Sequence, residues 1–395
     1  MTQYIDTVRS TRRRRPIARL GLDDRPLVAR LDWLLLGAGA GLVVFGLWAI
    51  AGITKYDVAG NSNYFVVRQL AFAAAGAVLM VAAILVDPLL YRRYKLALYG
   101  LMIGLMLLVS MVGTVARGSR RWIDVSFFRF QPSEFGKVLF VICISAFLAD
   151  RIKRVDELRT PLLAIGLAVP PVLLVFLQPD LGSGLVYLAA LGVCLFVAGV
   201  RWLHLAVFAA VSIIAVIALL WLLPAAGVQV LKPYQTARLT GFTNPSEDPQ
   251  GTTYNQRQSV TAVGSGGLSG RGIDGATQTR LDYLPEHATD FAFASLSEQR
   301  GFVGAAVLLL LYLLVVWRGL RIVTIASDAF SAIAAAGIVF ALLFQVFVNV
   351  GMATGIAPVT GITLPFVSVG GSSLVANLAA IGVLEAIALR GRRRP

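Results

Sequence analysis

Apolar runs of helix length recur along the chain, separated by stretches where charge, glycine and proline concentrate; their approximate limits are 33–53, 67–86, 96–115, 135–149, 160–177, 183–200, 203–224, 301–317, 329–352 and 372–389. A hydrocarbon core about 30 Å thick is crossed by roughly 20 apolar residues in a helix, so the pattern predicts ten transmembrane helices. The expected fold is an all-α integral membrane bundle, with one large ordered loop between spans seven and eight. The polar positions divide the chain into a basic tail over 1–30, a polytopic domain over 31–390 and a short tail over 391–395. The arginine-rich start leads into a full-length first span rather than a short apolar region with a small-residue cleavage site, which predicts an uncleaved signal anchor.

The connection over 225–300 is too long to be a mere linker. Aromatic and aliphatic residues recur in it, among them Tyr234, Phe242, Tyr254, Val260 and Leu284, with acids and bases in rough balance. That mixture predicts short helices lying on the membrane face over the bundle rather than a solvated tail.

Composition agrees: 57% of residues are hydrophobic and 14% charged, which excludes an ordinary soluble domain. A formal charge of +14 would suit nucleic acid, but the placement of the arginines does not. The runs RSTRRRRPIAR, YRRYK, DRIKRVDELR, WRGLR and RGRRR fall at the N-terminus, in every second loop and at the C-terminus. By the positive-inside rule they mark the cytoplasmic side of the membrane, with both termini there, and no nucleic-acid partner is expected. Cys143 and Cys194 fall inside spans, where they pack as small apolar side chains. With His204 and His287 as the two histidines, a multi-histidine metal site is excluded.

The unusual residues sit in the opposite set of loops. RGSRRWIDVSFFRFQPSE, residues 117–134, puts four arginines on the face where the rule disfavours them. Arg120 and Arg121 are suited to an anion there, beside Trp122 of an interfacial aromatic belt. Glu134 and Lys137, spaced i, i+3 at the start of the fourth span, neutralise each other while facing a cavity. Asp180, in LQPDLGS, suits a helix cap and a site role equally. In PEHATDFAF, Pro285 fits the first turn of a helix, which would set Glu286 and Asp290 one turn apart on one face. Glu286 then complements the helix dipole. Asp290, followed by Phe291, Phe293 and Leu296, stands at the edge of an apolar environment of the kind that raises a carboxylate's pKa and poises it as a base. The glycine-rich GSGGLSGRG lacks the GK[ST] ending of a phosphate loop. Because ATP is not supplied on that face, chemistry at Asp290 needs a substrate that arrives activated, and lipid-linked pyrophosphates qualify.

From about residue 30 to 390, the segments RRWIDVSFFRFQPSEFGK, QPDLG, YQTAR, NPSEDPQGTTYNQRQSVTAVGSGGLSGRG, TQTRLDYLPEHATDFAF and GITLPFVSVGGSS stand in the order of a known family. The chain resembles the SEDS family (shape, elongation, division and sporulation), its RodA-like elongation branch more than its FtsW-like division branch. The resemblance implies a ten-span peptidoglycan glycosyltransferase of cell elongation and cell shape that polymerises lipid II, the undecaprenyl-pyrophosphate-linked disaccharide pentapeptide. It also implies a class B penicillin-binding protein and other elongation-complex membrane proteins as partners. The family's catalytic aspartate falls on Asp290, its glutamate and lysine on Glu134 and Lys137, its QPDLG aspartate on Asp180 and its loop arginine on Arg238. Arg121, Trp122, Gln258, Ser265 and Ser368 complete the candidate substrate-binding set.

Three departures stand out: Ala288 where the family has histidine, with His287 one place earlier; Gln299 in place of an acid beside Glu298; and Val369 in place of a tyrosine. The expected chemistry is attack of an acceptor 4-hydroxyl on the donor anomeric carbon with inversion, Asp290 taking the proton. Arg121, Arg238 or a divalent cation, magnesium or manganese, would stabilise the departing pyrophosphate. The rival readings are a lipid II flippase and a non-catalytic scaffold for a penicillin-binding protein.

Overall fold

The computed structural model describes residues 27–116, 119–125, 128–218 and 252–391. Among these, nine helices are long and apolar enough to cross a membrane. In chain order the elements are α1 (Trp33–Ile53), α2 (Tyr64–Leu85), the short α3 (Pro88–Arg93) and α4 (Lys95–Val112). The strands β1 (Thr114–Ala116), β2 (Ser119–Val125) and β3 (Phe128–Phe130) follow, and then α5 (Pro132–Asp150), α6 (Arg159–Leu177), α7 (Leu181–Ala198) and α8 (Trp202–Ile217). After the undescribed stretch come α9 (Thr252–Ser265), the single turns α10 (Gly272–Gly275) and α11 (Thr277–Arg280), α12 (Ala292–Ile325), α13 (Ala329–Ala353) and α14 (Gly371–Gly391). The nine long helices are α1, α2, α4 to α7 and α12 to α14; α8 matches the expected seventh span, whose last six residues, 219–224, lie outside the described residues.

Burial separates core from periphery. Of the apolar stretch of α14, 94% is buried, and 78% of those of α5 and α13, against 17% for α2 and α4, so α5, α13 and α14 form the centre and the others face lipid. About half of the side chains along α14 are small, as is usual where membrane helices pack without a hydrophobic driving force. Its Gly382 lies so close to α2 that an added Cβ would stand 2.5 Å from the Met80 carbonyl oxygen. The expected fourth span, the shortest of the ten, is thus a 19-residue helix at the heart of the bundle.

Two ends can be told apart. At the basic end, Arg318 of α12 pairs with the buried Asp32, which also caps α1 through the Leu35 N–H; the Asp32 N–H in turn donates to the fully buried Glu385 of α14. At the other, loop-rich end, residues 114–130 add to the helical architecture a three-stranded antiparallel sheet, with Thr114 opposite Trp122 and Ile123 opposite Phe130. A string of aromatic contacts, Phe72–Phe128 at 5.3 Å and Phe130–Phe135 at 5.2 Å, ties this sheet to α2 and α5. Short helices do cover this end, as the loop composition predicts: α9 packs on α12 and α13, its Ser259 hydroxyl donating to the Ala353 carbonyl at 2.8 Å.

The helix expected from Pro285 is corrected. Residues 285–291 form turns, and α12 begins only at Ala292. The Glu286 carbonyl accepts from the N–H groups of Thr289 and Phe291, both at 3.1 Å, and Glu286 takes a φ of +59°, which no helix tolerates. Further along, α12 breaks at Gly301, whose φ is +64°.

Candidate active site

Asp290 is half-buried at the end of that turn, one residue before Phe291, which is fully buried and caps α12. Two elements distant in sequence hold the backbone of this turn. Asn349 of α13 donates through its amide to the carbonyls of Asp290 at 2.8 Å and Ile362 at 2.7 Å. Ser368 donates its hydroxyl to the Thr289 carbonyl and accepts from the Leu364 N–H at 2.9 Å. The Val369 N–H donates to the Ala288 carbonyl at 2.8 Å, and the Thr289 hydroxyl donates to the Glu286 carboxylate at 2.7 Å. The turn is therefore clamped between α13 and the uncharged loop 354–370.

The same loop leads to a second group of candidates. Gly182, in the first turn of α7, is packed so tightly on loop 354–370 that a Cβ would stand 2.6 Å from Ile362. One residue before α7, the buried Asp180 caps it through the Ser183 N–H at 3.1 Å and also accepts from the Ser183 hydroxyl at 2.9 Å and the Gln131 amide at 3.2 Å. Arg121 of β2 stands 3.8 Å from the same carboxylate and 5.5 Å from the Trp122 ring. Both roles weighed for Asp180, cap and site, are thus compatible. Ser372 at the start of α14 accepts from the Gln131 N–H at 2.9 Å and donates to the Arg129 carbonyl at 3.0 Å, which joins the sheet to α14.

One turn into α5, Glu134 and Lys137 pair at 2.7 Å, and Lys137 also donates to the Gln345 amide oxygen of α13 at 2.9 Å. Both charges are buried, and they border a cavity of about 30 Å³ that Asn377 of α14 also lines. That volume admits one or two waters. Glu134 Oε2 faces this region without a protein partner among the described residues, so water is its natural donor.

In sequence and fold the chain is similar to known proteins. The chain matches the FtsW/RodA/SpoVE cell cycle protein family over residues 29–393. It belongs to that family. Stage V sporulation protein E of Bacillus subtilis is 38% identical over 361 residues, covering 91% of this chain and 95% of that protein. Peptidoglycan glycosyltransferase MrdB of Escherichia coli is 37% identical over 347 residues, covering 88% and 91%. Among solved structures, a chain described under "Structural coordination of polymerization and crosslinking by a peptidoglycan synthase complex" superposes with a TM-score of 0.77 at 30% identity, covering 92% of this chain and 99% of its own. The Thermus thermophilus rod shape determining protein RodA superposes at 0.66 with 28% identity, covering 92% and 98%.

Within the FtsW/RodA/SpoVE framework, the sequence candidates separate into groups. Asp290 and Ser368 meet at the clamped turn; Arg121, Trp122 and Asp180 meet at the sheet; Glu134 and Lys137 lie below, in the bundle. Gln258 is half-buried on α9, and the Ser265 hydroxyl donates to the Ala262 carbonyl in its own helix at 3.0 Å. Arg238 lies outside the described residues. Ser368, expected to bind substrate, spends its hydroxyl on the backbone around Asp290. Glu298 is fully buried and accepts from the Gln278 N–H, the Thr279 N–H and the Thr279 hydroxyl at 2.8 to 3.0 Å, capping α11. The amide at Gln299 also finds its reason: it donates to the Gly52 carbonyl at the end of α1, 3.2 Å away, a bond that an ionised acid cannot make.

GSGGLSGRG serves packing, not phosphate. Phe302 and Val303 donate their N–H groups to the Gly267 and Leu268 carbonyls, and Arg271 to the Glu298 carbonyl, so the glycine turn and the Gly301 break zip together by backbone alone.

The residues missed from sequence are Asn349, Gln345, Gln131 and Asp57. Gln345 and Asn349, four apart in an otherwise apolar span, did carry a signal, since polar side chains inside a membrane helix mark a buried partner.

Proposed function

We propose that this protein polymerises lipid II into glycan strands for cell elongation, on the extracytoplasmic face of the bacterial inner membrane, with both termini in the cytoplasm. A class B penicillin-binding protein and other elongation-complex membrane proteins work beside it. The observation that carries the reading is the clamping of the Asp290 turn by Asn349, Ser368 and Val369, which fixes a half-buried carboxylate at the loop-rich end of the bundle. A base must be held within hydrogen-bond reach of the proton it takes, and a fixed turn on rigid helices supplies that.

Asp290 accepts the proton of the acceptor sugar's 4-hydroxyl as the oxygen attacks the donor's anomeric carbon. The lipid pyrophosphate departs from the opposite face, so the centre inverts. Arg121, reaching from β2, and Arg238 stabilise the charge that develops on the leaving group. Among the described residues no three His, Cys, Asp or Glu side chains are grouped so that they could hold a metal ion, and Asp180 is already engaged by Ser183, Gln131 and Arg121. A magnesium or manganese ion therefore fits best as one carried on the diphosphate oxygens, where it would supply further charge neutralisation.

The flippase reading requires a polar passage for a charged disaccharide lipid. The cavity beside Glu134 and Lys137 is small and lined mostly by apolar side chains, so it does not supply such a passage. The test is polymerisation of lipid II by purified protein, with and without the penicillin-binding partner, read on a gel of glycan products. Asp290→Asn abolishes the products while leaving folding and partner binding intact; full activity in that variant ends the assignment.

A further inference from the structure

We propose that His287 is a positioning residue for Asp290: its imidazolium clasps Asp57 of the α1–α2 connection and so fixes the turn that ends in the reacting carboxylate. The proposal rests on the reading of Asp290 as the base.

The turn is costly to hold. Asp282 and Glu286 both adopt positive φ, +56° and +59°, in which ordinary side chains lose about 1 kcal/mol or more each, so neighbouring contacts must over-determine the conformation. His287 stands between that strain and Asp290, with a side chain only 12% exposed. Its Nε2 lies 3.1 Å from both carboxylate oxygens of Asp57, and its Nδ1 lies 3.3 Å from the Leu284 carbonyl and 3.5 Å from Asp282. Its carbonyl accepts from the Ser295 hydroxyl in the first turn of α12, at 3.2 Å. One residue thus ties the α1–α2 connection, the turn after α11 and α12 together, three positions before Asp290.

The charged groups that face the ring are Asp57 from the α1–α2 connection and Asp282 from the turn, while the neighbouring Glu286 accepts from the Thr289 hydroxyl. Beyond them, Lys55 and Tyr56 bind Asp274, whose carbonyl takes Arg280. Acids surround the imidazole at once, and with both nitrogens facing oxygen acceptors the ring is suited to its doubly protonated form. Burial pulls its pKa down, but the hydrogen bond and charge of Asp57, with the charge of Asp282, outweigh burial and leave the histidine above its ordinary value. The stabilisation from this clasp is therefore complete below the ordinary histidine value of about 6.5 and is lost as pH rises through the raised one.

The experiment uses the full chain in lipid nanodiscs, measuring lipid II polymerisation and hydrogen exchange of residues 282–291 between about pH 5.5 and 9, across the range where histidine titrates. In the native protein, kcat and exchange protection fall together as pH rises through the raised value. His287→Arg, permanently charged, keeps both to higher pH. His287→Gln lowers kcat about tenfold at low pH with the KM for lipid II within about twofold, the signature of a displaced reacting group, and shows no further pH-dependent loss. Asp57→Asn reproduces the glutamine variant. A native pH profile and native protection in His287→Gln overturn the proposal. Full activity of Asp290→Asn would overturn the base assignment on which it rests, and the exchange arm separates that failure from failure of the clasp.

Discussion

Asn349 spends both amide hydrogens on backbone carbonyls, Asp290 and Ile362, so its contribution is to aim the aspartate rather than to touch a sugar. Asn349→Leu keeps the volume, removes both donors and strands two carbonyls, which costs about 1–3 kcal/mol. The expected outcome is a folded, detergent-extractable protein whose thermal midpoint drops by several degrees and whose lipid II polymerisation falls at least about tenfold, in kcat rather than KM. Unchanged kcat would show that the turn keeps its place without α13. Of these residues, Asp290 stands out in the sequence by its motif and its apolar sequel, and its role as the base is the proposal made above. Asn349 and Ser368 act as clamps across 59 and 79 residues of separation; the polarity of Asn349 in an apolar span marks a buried partner, but nothing local says which backbone it holds. Glu286 misled for a related reason: Pro285 and two acids four apart suit a helix start, yet the Glu286 carbonyl closes a turn on Phe291 instead.

At the level of elements, hydrophobic run length was enough to locate every described span, because an uninterrupted apolar stretch has few alternatives in a bilayer. Run length could not rank them. In lipid the inner and outer faces of a helix are both apolar, so the central α5 and peripheral α4 look alike until small and polar residues are weighed. The break in α12 and its zip to the glycine turn were equally hidden, since they depend on close backbone approach. That zip predicts an uneven response to alanine. At Gly270, φ is +83° and a Cβ would stand 2.3 Å from the Gln299 carbonyl oxygen, whereas at Gly267, φ is +54° and the Cβ would enter open space. Gly267→Ala then pays only the left-handed strain, about 1–2 kcal/mol, and Gly270→Ala pays that plus displacement of backbone. Thermal unfolding in detergent should show the second variant clearly less stable; equal losses would mean that α12 and the glycine turn are not zipped as described. Glu298→Ala probes the same region from the other side, leaving three buried donors unpaired around α11 and costing about 3 kcal/mol, with faster proteolysis of the 272–284 segment as its readout.

Across the whole molecule, two buried ion pairs stand out among the described residues. Asp32 with Arg318 closes the basic end, and Glu134 with Lys137 and Gln345 joins α5 to α13 near the loop-rich end. A buried ion pair contributes little net stability, but removing one partner leaves a charge in a medium that cannot solvate it. Lys137→Met should therefore destabilise the protein by about 3 kcal/mol or more, while the double variant Glu134→Gln with Lys137→Met recovers most of that loss. Activity in the double variant separates two roles for the pair. If Glu134 and Lys137 only hold α5 against α13, polymerisation returns with stability. If they reach the substrate through the small cavity they border, the stable double variant stays inactive, and the cavity becomes the place where lipid II is gripped below the clamped turn. A double variant as unstable as Lys137→Met alone would show that the pair is not the charge balance it is taken to be, because two neutral side chains of similar volume leave nothing unsolvated.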